Sequence, residues 1–167
     1  MTVHELFALL TPAENEAVLS WLHENDRAAY KTCVSMMATR RKLRPIFVER
    51  KPRDERHAWM KEALSKPANN DLAQEILQAW VLGANGPMVC EFLDLLGIAH
   101  DGKGLVEQIP AQPPAESVTK AVDAIAAKYP EAAVFVYLHI LVGTGMTEWP
   151  TLAEITSSDP RLCRNPS

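Results

Sequence analysis

Apolar residues spaced three and four apart constrain this chain more than any other feature. Residues 72–98, LAQEILQAWVLGANGPMVCEFLDLLGI, carry the pattern most fully. Leu72, Ala73, Ile76, Leu77 and Trp80 make one stripe; Met88, Val89, Phe92, Leu93 and Leu96 make a second. A 3.6-residue repeat turns each set into one face of a helix, and that face must be buried. Only Gly83-Ala84-Asn85-Gly86-Pro87 lies between them. A connection that short predicts antiparallel neighbours.

The periodicity recurs along the chain. Thr2 and Glu5 have capping-box spacing ahead of Val3, Leu6, Phe7 and Leu10. Thr11 and Glu14 repeat the box, with Pro12 at the first helical position. The helix behind them carries Val18, Trp21 and Leu22 and stops near Asn25. Asp26 caps a third helix, whose stripe is Ala29, Tyr30, Cys33, Val34 and Met37. Residues 53–65 predict another, with Trp59, Met60, Ala63 and Leu64. Lys66 to Asn70 reads as a linker.

Residues 116–142 predict a second hairpin. Val118, Ala121, Val122 and Ile125 stripe its first helix, and Tyr129-Pro130 breaks it. Residues 131–142 are apolar almost all round, which predicts the most buried element of the fold. A short last helix is expected over 151–156, with a loosely held tail beyond Asp159-Pro160. Ile46-Phe47-Val48 reads as a crossing segment or a very short strand. Residues 105–109 read as an extended piece that could pair with it, although two short strands barely make a sheet.

The expected fold is therefore all-α: a compact bundle of six to eight helices arranged as hairpins. Residues 1–66 form a basic N-terminal sub-bundle. Residues 67–167 form a C-terminal region with hairpins at 72–98 and 116–142. A shift of 43 residues sets Pro87 on Pro130, Phe92 on Phe135, Leu95 on Leu138 and Gly102 on Gly145. The two C-terminal hairpins read as related on that register.

An apolar fraction of 47% is enough for a core without staples. Three dispersed cysteines with no CxxC argue against a disulfide framework and fit a reducing compartment. The first residues lack a basic n-region, and the apolar run at 132–143 is too short to span a bilayer. A cytoplasmic chain with no membrane contact is expected.

The net charge of −4 hides an asymmetry. Residues 1–67 hold 12 Lys and Arg against 9 Asp and Glu, and residues 68–167 hold 5 against 12. The cations concentrate at Arg40, Arg41, Lys42, Arg44, Arg50, Lys51, Arg53 and Arg56, opposed only by Glu49, Asp54 and Glu55. Such a cluster could steer an acidic partner or phosphates. Nearby, Leu10-Thr11-Pro12-Ala13-Glu14, followed by Val18-Leu19, resembles the opening of the LuxR-type helix-turn-helix. That resemblance implies DNA binding. It carries one residue too many before Val18, and no matching recognition helix follows.

Catalytic signatures are absent. There is no G-x-S-x-G, no Walker-type phosphate loop and no HExxH. Gly83-Ala84-Asn85-Gly86 follows a helix rather than a strand and reads as a turn. Asp94, His100 and His139 could meet as a metal or acid–base group if the two C-terminal hairpins pack together. Trp149, beside Pro150, is a candidate for an exposed patch or a dimer contact, or else for packing of the C-terminal segment. The leading expectation is a non-enzymatic protein-interaction or scaffold module without cofactor, binding a protein partner or a second copy. Nucleic-acid or acidic-partner binding through Arg40–Arg56 and a small metalloenzyme around Asp94, His100 and His139 are the alternatives.

Overall fold

The computed structural model describes residues 1–165, and these form ten α-helices, one 3-10 turn and no strand. The helices are α1 Val3–Leu9, α2 Pro12–Asn25, α3 Arg27–Arg41, α4 Pro45–Glu49 and α5 Arg53–Leu64, then α6 Asn70–Ala84, α7 Gly86–Leu95, α8 Ala115–Lys128, α9 Glu131–Gly143 and α10 Pro150–Ser158. The all-α class holds, but the count exceeds six to eight, and α4 is a helix where the sequence suggested a crossing segment or short strand. None of these helices is long and apolar enough to cross a membrane.

The chain divides into two compact units: Val3–Trp80, and the residues from Val81 on together with Met1 and Thr2. The division falls inside α6. Lys66 to Asn70 is not an open linker. Pro67–Asn69 forms the 3-10 turn, and Asn69 Nδ2 donates to the Ala63 carbonyl at 2.8 Å.

In the first unit, α5 packs against α1, α2 and α3, and α3 also packs against α2 and α4. The caps expected at Thr11 and Asp26 form. Thr11 Oγ1 accepts from Glu14 N at 3.2 Å and Glu14 Oε2 accepts from Thr11 N at 2.9 Å, while Asp26 Oδ1 accepts from Ala29 N at 3.2 Å. All five stripe residues of α3 are buried. Burial pushes the Cys33 thiol up to about 12, with Glu75 and Asp26 adding to the effect. Ile46-Phe47-Val48 is neither strand nor crossing segment. Pro45 presets the first turn of α4, and Arg44 ahead of it is held extended. Val48 turns inward while Ile46 and Phe47 face water. Residues 105–109 consequently have no strand to pair with and are irregular.

Only Asn85 separates α6 from α7; the expected five-residue loop is absorbed into the helix ends. Pro87 lies in the first turn of α7, where its missing N–H costs nothing. In the second unit, α8 and α9 pack across the Tyr129-Pro130 break, and α10 packs on both. Every residue of α9 from Ala133 to Leu141 is buried, as its composition predicts. Under the 43-residue shift, Phe92 and Phe135 are both buried, but Leu95 is 51% exposed where Leu138 is buried.

Trp149 is not an exposed contact. It is buried, and its Nε1 donates to the Pro110 carbonyl at 3.0 Å. Gln112 clamps the start of α10, accepting from Thr151 N at 2.7 Å and donating to Thr151 Oγ1 at 2.9 Å. Residues 161–165 of the tail are not loosely held either, and Pro166 and Ser167 lie outside the described residues. Leu162 is buried, and Arg161 bridges Asp159 and Asp123 at 2.6 and 2.7 Å. Arg164 pairs with Glu131 at 3.2 Å and lies 4.2 Å from the Phe135 ring centroid. A helix with no polar face leaves an apolar surface that the tail can cover.

Two glycines separate backbone conformation from packing. Gly97 and Gly104 both have positive φ, at 68° and 96°. A Cβ at Gly97 meets nothing, whereas one at Gly104 would lie 2.7 Å from Val89 Cγ1, a branched side chain with little freedom to move. Gly97→Ala should cost about 1 kcal/mol of unfolding free energy. Gly104→Ala should cost clearly more, about 2–4 kcal/mol. Urea denaturation followed by circular dichroism measures both.

Candidate functional site

The eight cations of residues 40–56 separate into an engaged set and a free set. Arg40 and Arg41 reach Glu62 at 3.5 and 3.4 Å. The Arg41 guanidinium also covers the Trp59 ring at 3.7 Å, with Lys51 at 5.0 Å from the same ring. Lys51 pairs with Glu55 at 3.5 Å, Arg53 pairs with Glu16 at 3.0 Å, and Arg56 donates to the Glu49 carbonyl at 2.7 Å. Lys42, Arg44 and Arg50 have no side-chain partner among the described residues. Exposed ion pairs are weak, so the engaged cations on this rim still contribute to its positive field.

Three large apolar side chains lie among the free cations. Leu43 is 39% exposed, Ile46 48% and Phe47 50%. They follow one another through the turn from α3 into α4. Beside them is an open cleft lined by Arg40, Arg41, Leu43, Trp59 and Glu62. One exposed leucine needs no explanation, but three adjoining large hydrophobes within a cationic rim form a patch.

Asp94, His100 and His139 do not assemble. His100 Nε2 meets Asp94 Oδ1 at 2.8 Å on the surface, and His100 Nδ1 accepts from Gly102 N at 3.0 Å. His139 is buried within α9, and its Nε2–H donates to the Leu162 carbonyl at 2.9 Å. Among the described residues, no three His, Cys, Asp or Glu side chains could hold a metal ion.

The histidine with the richest surroundings is His57. It is 1% exposed, on the core face of α5. Its Nδ1 is 2.6 Å from Glu16 Oε2, and its Nε2 is 2.9 Å from the Tyr30 hydroxyl. With Nδ1–H donating to the carboxylate, Nε2 accepts the tyrosine proton, which fixes a neutral tautomer. Burial lowers the His57 pKa and outweighs the opposing pull of Glu16. Burial raises the pKa of Glu16, but hydrogen bonds from Ser20 and His57 and the charges of His57 and Arg53 leave it lowered. Burial raises that of Tyr30. The result is an ionised carboxylate, a neutral imidazole and a protonated phenol joining α2, α3 and α5. Both ring nitrogens of His57 are occupied, so the geometry holds helices together rather than offering a free base.

Position along the stripe is the signal that marks this cluster. His57 precedes Met60 by three residues and Leu64 by seven; Asn15 precedes Val18 by three and Leu22 by seven. Both are polar groups at core positions of their helices. No family model, no curated protein and no solved structure matches the chain.

His57 and His139 both have lowered pKa values, each chiefly by burial. Unfolded, each titrates near its ordinary value of 6.5 and binds a proton before the folded form does. Their contribution is therefore complete above that value and is lost as pH falls through the lowered native values. Stability should drop between about pH 7 and pH 5. His57→Gln and His139→Gln should each flatten part of that drop in chemical denaturation series run at both pH values.

Proposed function

We propose that the chain is a non-enzymatic interaction module that docks an acidic protein segment carrying apolar side chains on the α3–α4 turn. The observation that carries this reading is the exposure of Leu43, Ile46 and Phe47 between Lys42, Arg44 and Arg50. Cations steer an acidic partner at long range, and apolar contact then holds it. Interfaces combine these parts, with an apolar centre inside a charged rim. The three free thiols, Cys33, Cys90 and Cys163, suit the reducing cytoplasm proposed for it.

The engaged side chains support a protein partner over nucleic acid. Arg41 and Lys51 already occupy the Trp59 ring, so that ring is not open for base stacking. No helix in this segment both projects its cations along one face and leaves them free, as groove binding requires.

The test compares an acidic amphipathic peptide, the same peptide with its apolar residues changed to serine, and duplex DNA, each titrated into the full chain at several salt concentrations. The intact acidic peptide should bind best. Ile46→Asp/Phe47→Asp should weaken it at least tenfold, about 1.4 kcal/mol, while leaving folding stability within about 0.5–1 kcal/mol. Lys42→Glu/Arg44→Glu/Arg50→Glu should weaken it and flatten the salt dependence. Tighter binding of DNA than of the peptide would overturn the protein-partner reading.

A further inference from the structure

The partner proposed for the α3–α4 turn is acidic and apolar, and the chain carries a surface of that chemistry itself. Residues 68–167 hold 5 Lys and Arg against 12 Asp and Glu. In the Val81 unit, Leu95 at the end of α7 is 51% exposed and Leu105 is 57% exposed. Three exposed carboxylates accompany them, Asp94, Asp101 and Glu107, against one lysine, Lys103.

Hydrogen bonds tie the segments that carry these side chains together. The His100 ring meets Asp94 at 2.8 Å, which fastens the loop after α7 to the helix end that carries Leu95. Asp101 N then donates to the Leu105 carbonyl at 3.0 Å. Asp101 Oδ1 accepts from Lys103 N at 2.8 Å and from Leu105 N at 3.0 Å. Gly104 lies against α7, where an added Cβ would come within 2.7 Å of Val89 Cγ1. Leu105 is therefore exposed on a loop fixed by hydrogen bonds and packing, not at a slack tip. An ordered apolar side chain left in water is preorganised for contact.

Charge decides which contact two copies can make. Face to face, two α3–α4 turns would set the cations Lys42, Arg44 and Arg50 against themselves. Placed against the other surface, the same cations meet Asp94, Asp101 and Glu107, and Leu43, Ile46 and Phe47 meet Leu95 and Leu105. We infer that the occupant of the α3–α4 turn is a second copy of this chain, which presents its Leu95–Leu105 surface. This rests on the reading of the turn as a docking surface for an acidic, apolar segment. The contact joins unlike faces, so each copy carries both halves of it. Few side chains take part, which makes it weak and reversible.

Analytical ultracentrifugation of the full chain, at concentrations up to the millimolar range, tests this. The weight-average mass should rise with concentration at low salt and return toward the monomer when salt is added. Two variants separate the faces. Ile46→Asp/Phe47→Asp removes the apolar centre of the cationic face, and Leu95→Lys/Leu105→Lys that of the acidic one. All four positions are exposed, so both variants should keep the fold, which thermal circular dichroism checks. Each variant alone should associate at least about tenfold more weakly than the parent. An equimolar mixture of the two should form a one-to-one complex, because one retains the acidic face and the other the cationic face. A parent chain that stays monomeric, a variant that associates as well as the parent, or a mixture without a complex would each overturn the inference. If the acidic peptide still binds a chain that stays monomeric, the docking surface stands and only the second copy is ruled out as its occupant.

Discussion

Nine consecutive residues of α9, Ala133 to Leu141, are buried. A surface helix keeps one face wet, and a helix that cannot do so must be surrounded. Much of the Val81 unit follows from that requirement. The helices α8 and α10 pack on α9, and the tail covers what they leave. His139 shows how tight the constraint is. An imidazole N–H buried in an apolar helix must find an acceptor, and the carbonyl of Leu162 supplies it. That hydrogen bond, with Arg161 on Asp159 and Asp123, ties down a tail whose own sequence has no periodic pattern. Arg164 then lies over Phe135, where the edge of the same helix would otherwise be open.

The Val3–Trp80 unit meets the same problem with a polar seam. Its helices carry ordinary stripes, but Asn15 and His57 occupy stripe positions and are buried with them. Apolar contacts tolerate sliding, whereas hydrogen bonds at 2.6 and 2.9 Å do not. Glu16, His57 and Tyr30 fix how α2, α3 and α5 meet. A network of this kind is stabilising only when its members are satisfied, and here two buried atoms beside it, Asn15 Oδ1 and Arg56 Nε, are not.

Legibility in the sequence followed periodicity closely. The α3 stripe, the Thr11 and Asp26 caps and the burial of α9 could all be read because each is a local pattern repeated over several turns. Ile46-Phe47-Val48 could not, because three apolar residues between two prolines have no period to distinguish helix from strand. Leu162 and Trp149 were illegible for a related reason. Each is a single anchor whose partner, α9 or Pro110, lies far along the chain. The basic stretch was legible as composition but not as chemistry. Which cations stay free is decided by Glu16 and Glu62, outside the cluster. His57 was hidden by its charged neighbours, RDERHAWMKEAL, although its spacing to Met60 and Leu64 marked it as a core position.

The turn between α3 and α4 is where folding demands and side-chain identity part company. Lys42 ends α3 with a φ of 55°, the one non-glycine residue in the left-handed region among those described. Its N–H bonds the Ala38 and Thr39 carbonyls, so the backbone shape is what the helix end needs. Glycine would adopt that shape about 1 kcal/mol more easily. The lysine contributes nothing to the core in return. It adds a free cation next to Leu43, Ile46 and Phe47, which contribute little to the core themselves. Four residues at this turn, Lys42, Leu43, Ile46 and Phe47, favour an exposed cationic and apolar surface over backbone ease and burial. Folding alone gives no reason for that combination; the acidic partner proposed above would give one.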